Sequence, residues 1–288
     1  MSTKQRGSGW SINLVFNFYK LFGYTFVYYF MYPVTFFYFL VATNVKEALK
    51  DYYKHINKPF NNLVYFHHLR HFAITMCDRF ISKIHPQDYT FLIENEEKLL
   101  QTLNGGCILL LSHFGGWASA GNCFKELKIN IVMQEVIRDG IKRIEEKVPQ
   151  INDNLHIIDL SKGTASVSLE IANALLNNEI IAMMSDRASE HKNNQDVDFF
   201  SKKANFNKNP FVIAYKTEKP LVSIAFVYEK PQCYRVKFTQ ITMNKESHQT
   251  GEIQNAMRAN ADFLANVVSQ NPEQWFNLYY FWKEKQCA

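Results

Sequence analysis

The sequence predicts an α/β fold, in which a mainly parallel sheet is flanked by helices and preceded by an N-terminal apolar membrane-anchoring helix. Three observations support this class. Strand-like and helix-like patterns alternate from residue 105 onward, as in parallel sheets covered by helices. A long uncharged stretch lies near the N-terminus, and 47% of the 288 residues are apolar, enough for a large core. We therefore divide the chain into an anchor over residues 1–45 and a second domain over residues 46–288.

The first element is the uncharged stretch at residues 21–45, which is rich in Phe, Tyr, Val and Leu and is flanked by Lys20 and Lys46. About 20 apolar residues are enough for a helix to cross a bilayer. Pro33 near the middle would kink or break a helix, and the tyrosines favour the membrane interface over the hydrocarbon centre. Three arrangements therefore remain open: a tilted or kinked span, a hairpin or interfacial helix, and a buried helix.

Residues 46–100 have amphipathic helical spacing and are predicted to form a helical lead-in to the second domain. His67, His68 and His71 lie there without a suitably spaced acidic or Cys ligand, so we interpret them as a polar helix face and predict no metal site.

The five cysteines are widely spaced, which favours reduced thiols in a cytoplasmic compartment. The scattered net charge of +5 argues against a nucleic-acid partner and suits an anionic membrane surface.

Alternation then predicts the remaining elements in order. Strands are expected at residues 106–111, 130–134, 155–160, 179–185, 221–228 and 234–241. Helices are expected at residues 117–127, 140–148, 165–176, 210–216 and 253–269. The polar stretch at residues 188–198 is predicted to be a mobile loop.

The sequence SHFGGW, residues 112–117, directly follows the first of these strands. His113 would reach the carboxyl edge of the sheet, where α/β proteins usually place their chemistry, and its pKa of about 6.5 suits a base that deprotonates a hydroxyl group. Gly115, Gly116 and Trp117 would follow as substrate-binding residues, with main-chain amides free to hold an oxyanion or a phosphate. The alternative is a histidine that only caps the end of a strand.

Asp186 and Arg187 follow the apolar strand at residues 179–185. In a parallel sheet they would emerge at the same edge as His113. The carboxylate of Asp186 could orient the histidine and stabilise its imidazolium, and Arg187 could clamp a phosphate. A surface ion pair between the two residues is the alternative interpretation.

A third candidate segment combines Phe199 and Phe200 with Lys202. Paired aromatic rings beside a lysine could form an apolar floor with a basic rim, suited to an acyl chain that carries a phosphate-bearing head. Core aromatics beside solvated lysines explain the pattern equally well. The dense aromatic cluster at residues 274–282 is interpreted mainly as packing or interfacial anchoring.

Five blocks in order resemble the lipid A biosynthesis / lysophospholipid acyltransferase family, in particular its short predicted-acyltransferase subgroup. They are the start GSGW (7–10) with the apolar anchor, SHFGGW (112–117), MSDR (184–187) with DFF (198–200), NPF (209–211), and EQWFN (273–277) with the terminal FW pair (281–282). The resemblance implies that residues 46–288 are an acyltransferase domain at the cytoplasmic face of the bacterial inner membrane. It implies transfer from an acyl carrier protein or coenzyme A thioester to a hydroxyl of a membrane glycolipid or lysolipid. His113 would be the general base, with no metal, no cofactor and no covalent acyl-enzyme.

The chain departs from the family pattern at one position. The family's acid stands five residues after the histidine, where this chain has Ala118. Three explanations follow: Asp186 supplies the carboxylate, the activity is slow or uses a more reactive acceptor, or the chain is a silent homologue or an engineered variant. The competing functions are a non-catalytic protein that binds lipid or acyl carrier, and an acyltransferase with an amine acceptor.

Overall fold

The computed structural model describes residues 9–134, 154–187 and 193–282, with side chains from residue 13 onward. A seven-stranded sheet has the order β1-β9-β8-β2-β5-β3-β4, and β6 pairs with β7 in a separate two-stranded sheet. The strands are β1 (Thr90–Ile93), β2 (Ile108–Leu111), β3 (Ile129–Met133), β4 (Leu155–Asp159), β5 (Ile180–Met184), β6 (Asn194–Phe199), β7 (Lys202–Asn207), β8 (Leu221–Lys230) and β9 (Cys233–Ile241). The mainly parallel sheet flanked by helices is confirmed.

The described helices cover both faces of the sheet. They are α1 (Gly9–Val41), α2 (Thr43–His55), α3 (Asn62–Ile84), α4 (Glu96–Asn104), α5 (Thr164–Leu176), α6 (Asn209–Thr217) and α7 (Gln249–Gln270). Side chains of α2, α5, α6 and α7 form the core on one face, and side chains of α1, α3 and α4 contribute to the core on the other. The helix expected at residues 140–148 lies outside the described residues.

The centre of the sheet follows from its apolar sequences. Every residue of β2 is buried, and four of the five residues of β5 are buried, as expected for parallel strands covered on both faces. The sheet reverses direction at one side, where β8 and β9 pair antiparallel before β9 pairs parallel with β1. The reversal places the edge strand β1 beside the last strand of the chain.

Three local predictions were wrong. The lead-in at residues 46–100 contains β1, whose four residues alternate between exposed and half-buried and are too few for their periodicity to be recognised. Residues 194–198 belong to β6 rather than to a loop, because pairing with β7 outweighs their polar composition. The helix expected at 117–127 is only a 3-10 segment, Trp117–Asn122, in a stretch where Gly121 packs against Leu155 too closely for a Cβ atom.

Helix α1 is the candidate membrane anchor. Its part Asn13–Val41 is long and apolar enough to cross a membrane by length and composition. It contains Pro33 and is kinked at Gly23, whose φ is +76°. One side packs along α3 and buries Val27 and Met31, whereas the other side exposes large apolar residues: Leu21, Phe22, Tyr29, Phe36, Phe37, Leu40 and Val41. The division of the chain at residue 45 stays a prediction.

Candidate active site

The ends of β2 and β5 bring the two principal candidates together. The strands are neighbours, and Leu111 pairs with Met184 at the last position of their register. Both the main-chain nitrogen and the hydroxyl of Ser185 donate to the Leu111 carbonyl, at 2.7 Å and 3.0 Å. His113 and Asp186 therefore leave the sheet side by side at its carboxyl edge, as their spacing after two apolar strands indicated.

Asp186 holds the histidine through two contacts. His113 Nδ1 lies 2.9 Å from Asp186 Oδ1, and the His113 main-chain nitrogen donates to Oδ2 at 3.0 Å. Asp186 is fully buried, whereas the His113 side chain keeps 20% of its surface exposed. With the carboxylate accepting from Nδ1–H, the lone pair of the neutral ring lies on Nε2, so the ring can take a proton there.

Burial of the ring favours this neutral form. Burial lowers the pKa of His113, Asp186 opposes this effect, and Arg187 adds to it. Arg187 Nε lies 3.1 Å and 3.2 Å from the two ring nitrogens, and its guanidinium lies over the Tyr279 ring at 5.3 Å. Burial would raise the pKa of Asp186, but His113 and Arg187 hold this pKa well below its usual range. Burial therefore favours the uncharged ring of His113, and contacts with His113 and Arg187 favour the ionised carboxylate of Asp186.

The two glycines serve close packing rather than anion binding. Gly115 has φ +52°, and a Cβ atom there would lie 1.9 Å from the Phe226 carbonyl oxygen. Its amide donates to the Gln274 carbonyl at 2.8 Å, and the Gly116 amide donates to the Phe226 carbonyl at 2.7 Å. Both amides are thus engaged within the protein and are not free to hold an oxyanion, and the substrate-binding role of Gly115, Gly116 and Trp117 stays a prediction.

The C-terminal aromatic segment closes over the histidine loop. Phe276 donates its main-chain N–H to the His113 carbonyl at 2.7 Å, and the Trp275 indole donates to Asp186 Oδ2 at 3.2 Å. The Trp117 ring contacts both His113 and Phe276, with centroid distances of 5.6 Å and 5.7 Å. The role of Trp275 was missed from the sequence, where its one signal was an indole N–H that needs an acceptor when buried.

Phe199 belongs to the core, whereas the substrate-binding roles of the half-buried Phe200 and the exposed Lys202 stay predictions. Phe199 is 1% exposed and packs against Trp275 and Trp282, at 5.3 Å and 5.7 Å between ring centroids. Phe200 packs on Phe199, and Lys202 Nζ lies 3.1 Å from Nε2 of His55 in α2. A fully packed ring offers no surface to an acyl chain, so the core interpretation replaces the floor for Phe199.

Position 118 brings no carboxylate to the base. Ala118 lies in the 3-10 segment Trp117–Asn122. Glu126 lines a groove with Asn104 and Glu179, which lie at the opposite edge of the sheet from His113. Among the residues that the structure describes, no group of three His, Cys, Asp or Glu side chains could hold a metal ion. Within the described ranges, the carboxylate in hydrogen-bonding reach of His113 is that of Asp186.

His113 thus lies at a strand tip beside the buried carboxylate of Asp186, in a chain whose first described helix is long and apolar enough to cross a membrane. The chain belongs to the bacterial lipid A biosynthesis acyltransferase family, whose model matches residues 67–284 and therefore most of the chain. Membership indicates an acyltransferase that acts on a lipid. No curated protein matches this chain.

Proposed function

We propose that the protein is an O-acyltransferase that moves a fatty acyl group from an acyl carrier protein or coenzyme A thioester to a hydroxyl of a membrane lipid. The acceptor classes are a lipid A precursor and a lysophospholipid. The contact between His113 and Asp186 carries this proposal, because it pairs a neutral base with an ionised partner at the edge of the sheet. It also supplies the carboxylate that Ala118 cannot.

The reaction requires one proton transfer in each direction. Nε2 of His113 takes the acceptor's hydroxyl proton while the oxygen attacks the thioester carbonyl carbon. The C–O bond forms, the C–S bond breaks, and the imidazolium returns the proton to the leaving thiolate. Asp186 stabilises the transient imidazolium, as a buried carboxylate does in other acyl-transfer sites. Arg187 beside the ring provides positive charge for the developing oxyanion.

The packing of α1 supports membrane association in the plane of the interface. The middle of the helix faces the domain: the Tyr24 hydroxyl donates to Asp78 at 2.9 Å, and the Arg70 guanidinium lies against Tyr28 and Tyr32. A spanning orientation would carry these charged groups toward the hydrocarbon centre, where each is costly. Since acyl thioesters of these carriers are cytoplasmic substrates, we place the helix at the cytoplasmic face of the inner membrane, against its anionic lipids.

The test is thiol release by the full-length protein in detergent, with acyl-coenzyme A or acyl carrier protein as donor and a lysophospholipid as acceptor. His113→Ala should abolish release, whereas His156→Ala should not, because His156 is an exposed histidine on β4. Mass spectrometry of the product, before and after mild alkali, separates an ester from an amide and thus a hydroxyl from an amine acceptor. Lipid binding without turnover by the wild-type protein would favour the non-catalytic alternative, which Ala118 motivates.

A further inference from the structure

Arg70 is a buried cation in the seam between α1 and α3. It belongs to α3, is only 7% exposed and lies between two tyrosine rings of α1. Its guanidinium carbon is 4.3 Å from the Tyr28 ring centroid and 4.0 Å from that of Tyr32. Stacking of this kind stabilises a cation through the faces of the rings, but it leaves the N–H groups in the guanidinium plane without acceptors.

Two nitrogens of the Arg70 guanidinium make no hydrogen bond to the described residues. Its Nε and Nη2 atoms are buried, and neither has a hydrogen-bond partner among the residues that the structure describes. The neighbouring His71 is an uncharged group, because burial and then Arg70 lower the pKa of His71 to about 4. A buried cation without an anionic partner is costly, and so are buried donors without acceptors.

We propose that Arg70 binds the phosphate of a lipid head group. Nε and Nη2 form one edge of the guanidinium, whose two parallel N–H groups match two oxygens of a phosphate. Tyr32 is 42% exposed and its ring stacks on the guanidinium at 4.0 Å, so a shift of this ring would open the buried Nε and Nη2 to a ligand. A phosphate bound there satisfies both donors and neutralises the charge.

The site lies on the same side of the fold as the base. The adjacent His71 packs against Tyr228 of β8 at 5.4 Å. The Tyr228 main-chain N–H donates to Gln274 Oε1, and the Gln274 carbonyl accepts from Gly115 in the loop that carries His113. A lipid held by its phosphate at Arg70 could therefore present a hydroxyl toward His113. The inference rests on the proposed function, since it specifies a phosphate-bearing class of acceptor for the same reaction.

The experiment measures binding by the full-length protein in neutral detergent micelles, without an acyl donor. The probes are dodecanoyl lysophosphatidate, monododecanoylglycerol, which lacks the phosphate, and inorganic phosphate. We expect lysophosphatidate to bind at least about ten-fold more tightly than the glyceride, as one charge-assisted bidentate contact allows. Tight binding of inorganic phosphate alone would identify a free anion, rather than a lipid, as the ligand and would overturn the proposal.

Three variants assign the effect. Arg70→Gln should remove the preference for lysophosphatidate, and Arg70→Lys should restore only part of it, because lysine keeps the charge and loses the fork. Arg258→Gln on the exposed side of α7 removes one charge elsewhere and should leave the preference intact. Full retention of the preference in both Arg70 variants would refute the site, and a lower melting temperature with retained preference would show a purely structural role.

Activity separates this inference from the proposed function. If thiol release depends on His113 while lysophosphatidate binding does not depend on Arg70, the proposed function stands and the phosphate site is refuted. Binding of lysophosphatidate that depends on Arg70, without any thiol release by the wild-type protein, does the reverse.

Discussion

The sharpest prediction concerns Asp186→Asn, which removes the negative charge beside the base and changes few atoms. The amide can accept at only one oxygen, whereas the carboxylate accepts from His113 Nδ1, the His113 main chain and the Trp275 indole. The amide nitrogen must then face one of three donors. Both the charge and the orientation of the ring are therefore perturbed.

The magnitude follows from the geometry of the pair. A contact of 2.9 Å between Nδ1 and Oδ1 separates the two charge centres by about 4 Å. At an effective dielectric constant of about 20, this charge pair is worth about 4 kcal/mol. Because the imidazolium exists only during the reaction, the loss falls on the transition state, and a fall in kcat of about 10³ is expected. The expected fall in kcat lies between about 10², the contribution of a positioned acid–base group, and about 10⁴, the loss caused by a misoriented histidine.

The assay is single-turnover thiol release from an acyl thioester with a lysophospholipid in mixed micelles. Asp198→Asn is the matched control, because it removes an exposed carboxylate that pairs with Lys203 at 2.7 Å. The charge pair predicts a loss of kcat of about 10³ for Asp186→Asn. A loss of about three-fold or less would refute the role of Asp186 as the partner of the base. Adding Ala118→Glu to this variant restores a carboxylate at the family position, and partial recovery of kcat would separate a chemical from a structural role for Asp186.

Three further outcomes are expected. The midpoint of the acid limb of kcat/KM should lie below pH 6.5, because burial lowers the pKa of His113 from about that ordinary value. A midpoint above about pH 7 in the pH–rate profile would contradict this. Gly115→Ala should lower the melting temperature far more than Gly163→Ala, because both glycines have a positive φ but only a Cβ atom at Gly115 would meet a backbone atom, the Phe226 carbonyl oxygen. Equal shifts of the melting temperature in calorimetry would exclude this clash. Phe37→Ser on α1 should weaken co-sedimentation with anionic vesicles by about ten-fold, as one inserted aromatic side chain allows, whereas Leu169→Ser on exposed α5 should not; similar binding of both variants would argue against insertion of α1.

The strand tips were predictable because parallel strands end at one edge of a sheet. Apolar runs before His113 and Asp186 were enough to place both residues there. That β2 and β5 are direct neighbours does not follow from spacing, since β3 and β4 lie between them in the chain. The distance between the two side chains therefore needed the structure.

Two expectations about the candidate site failed to foresee contacts between distant parts of the chain. The glycine amides seemed available because the Gln274 and Phe226 carbonyls that accept from them lie far along the sequence. Phe199 seemed a possible substrate contact because its packing partner Trp275 is also remote. Local sequence pattern predicts which residues reach the edge of the sheet, but not which distant residues hydrogen-bond to them or pack against them there.

The C-terminal segment over the histidine loop has a consequence for biosynthesis. Trp275 and Phe276 supply hydrogen bonds to Asp186 and His113, and they leave the ribosome long after α1 does. At about 5–20 residues per second, translation separates the two events by roughly 10–50 seconds. Until the final stretch docks, Asp186 and His113 lack the hydrogen bonds that Trp275 and Phe276 supply to them.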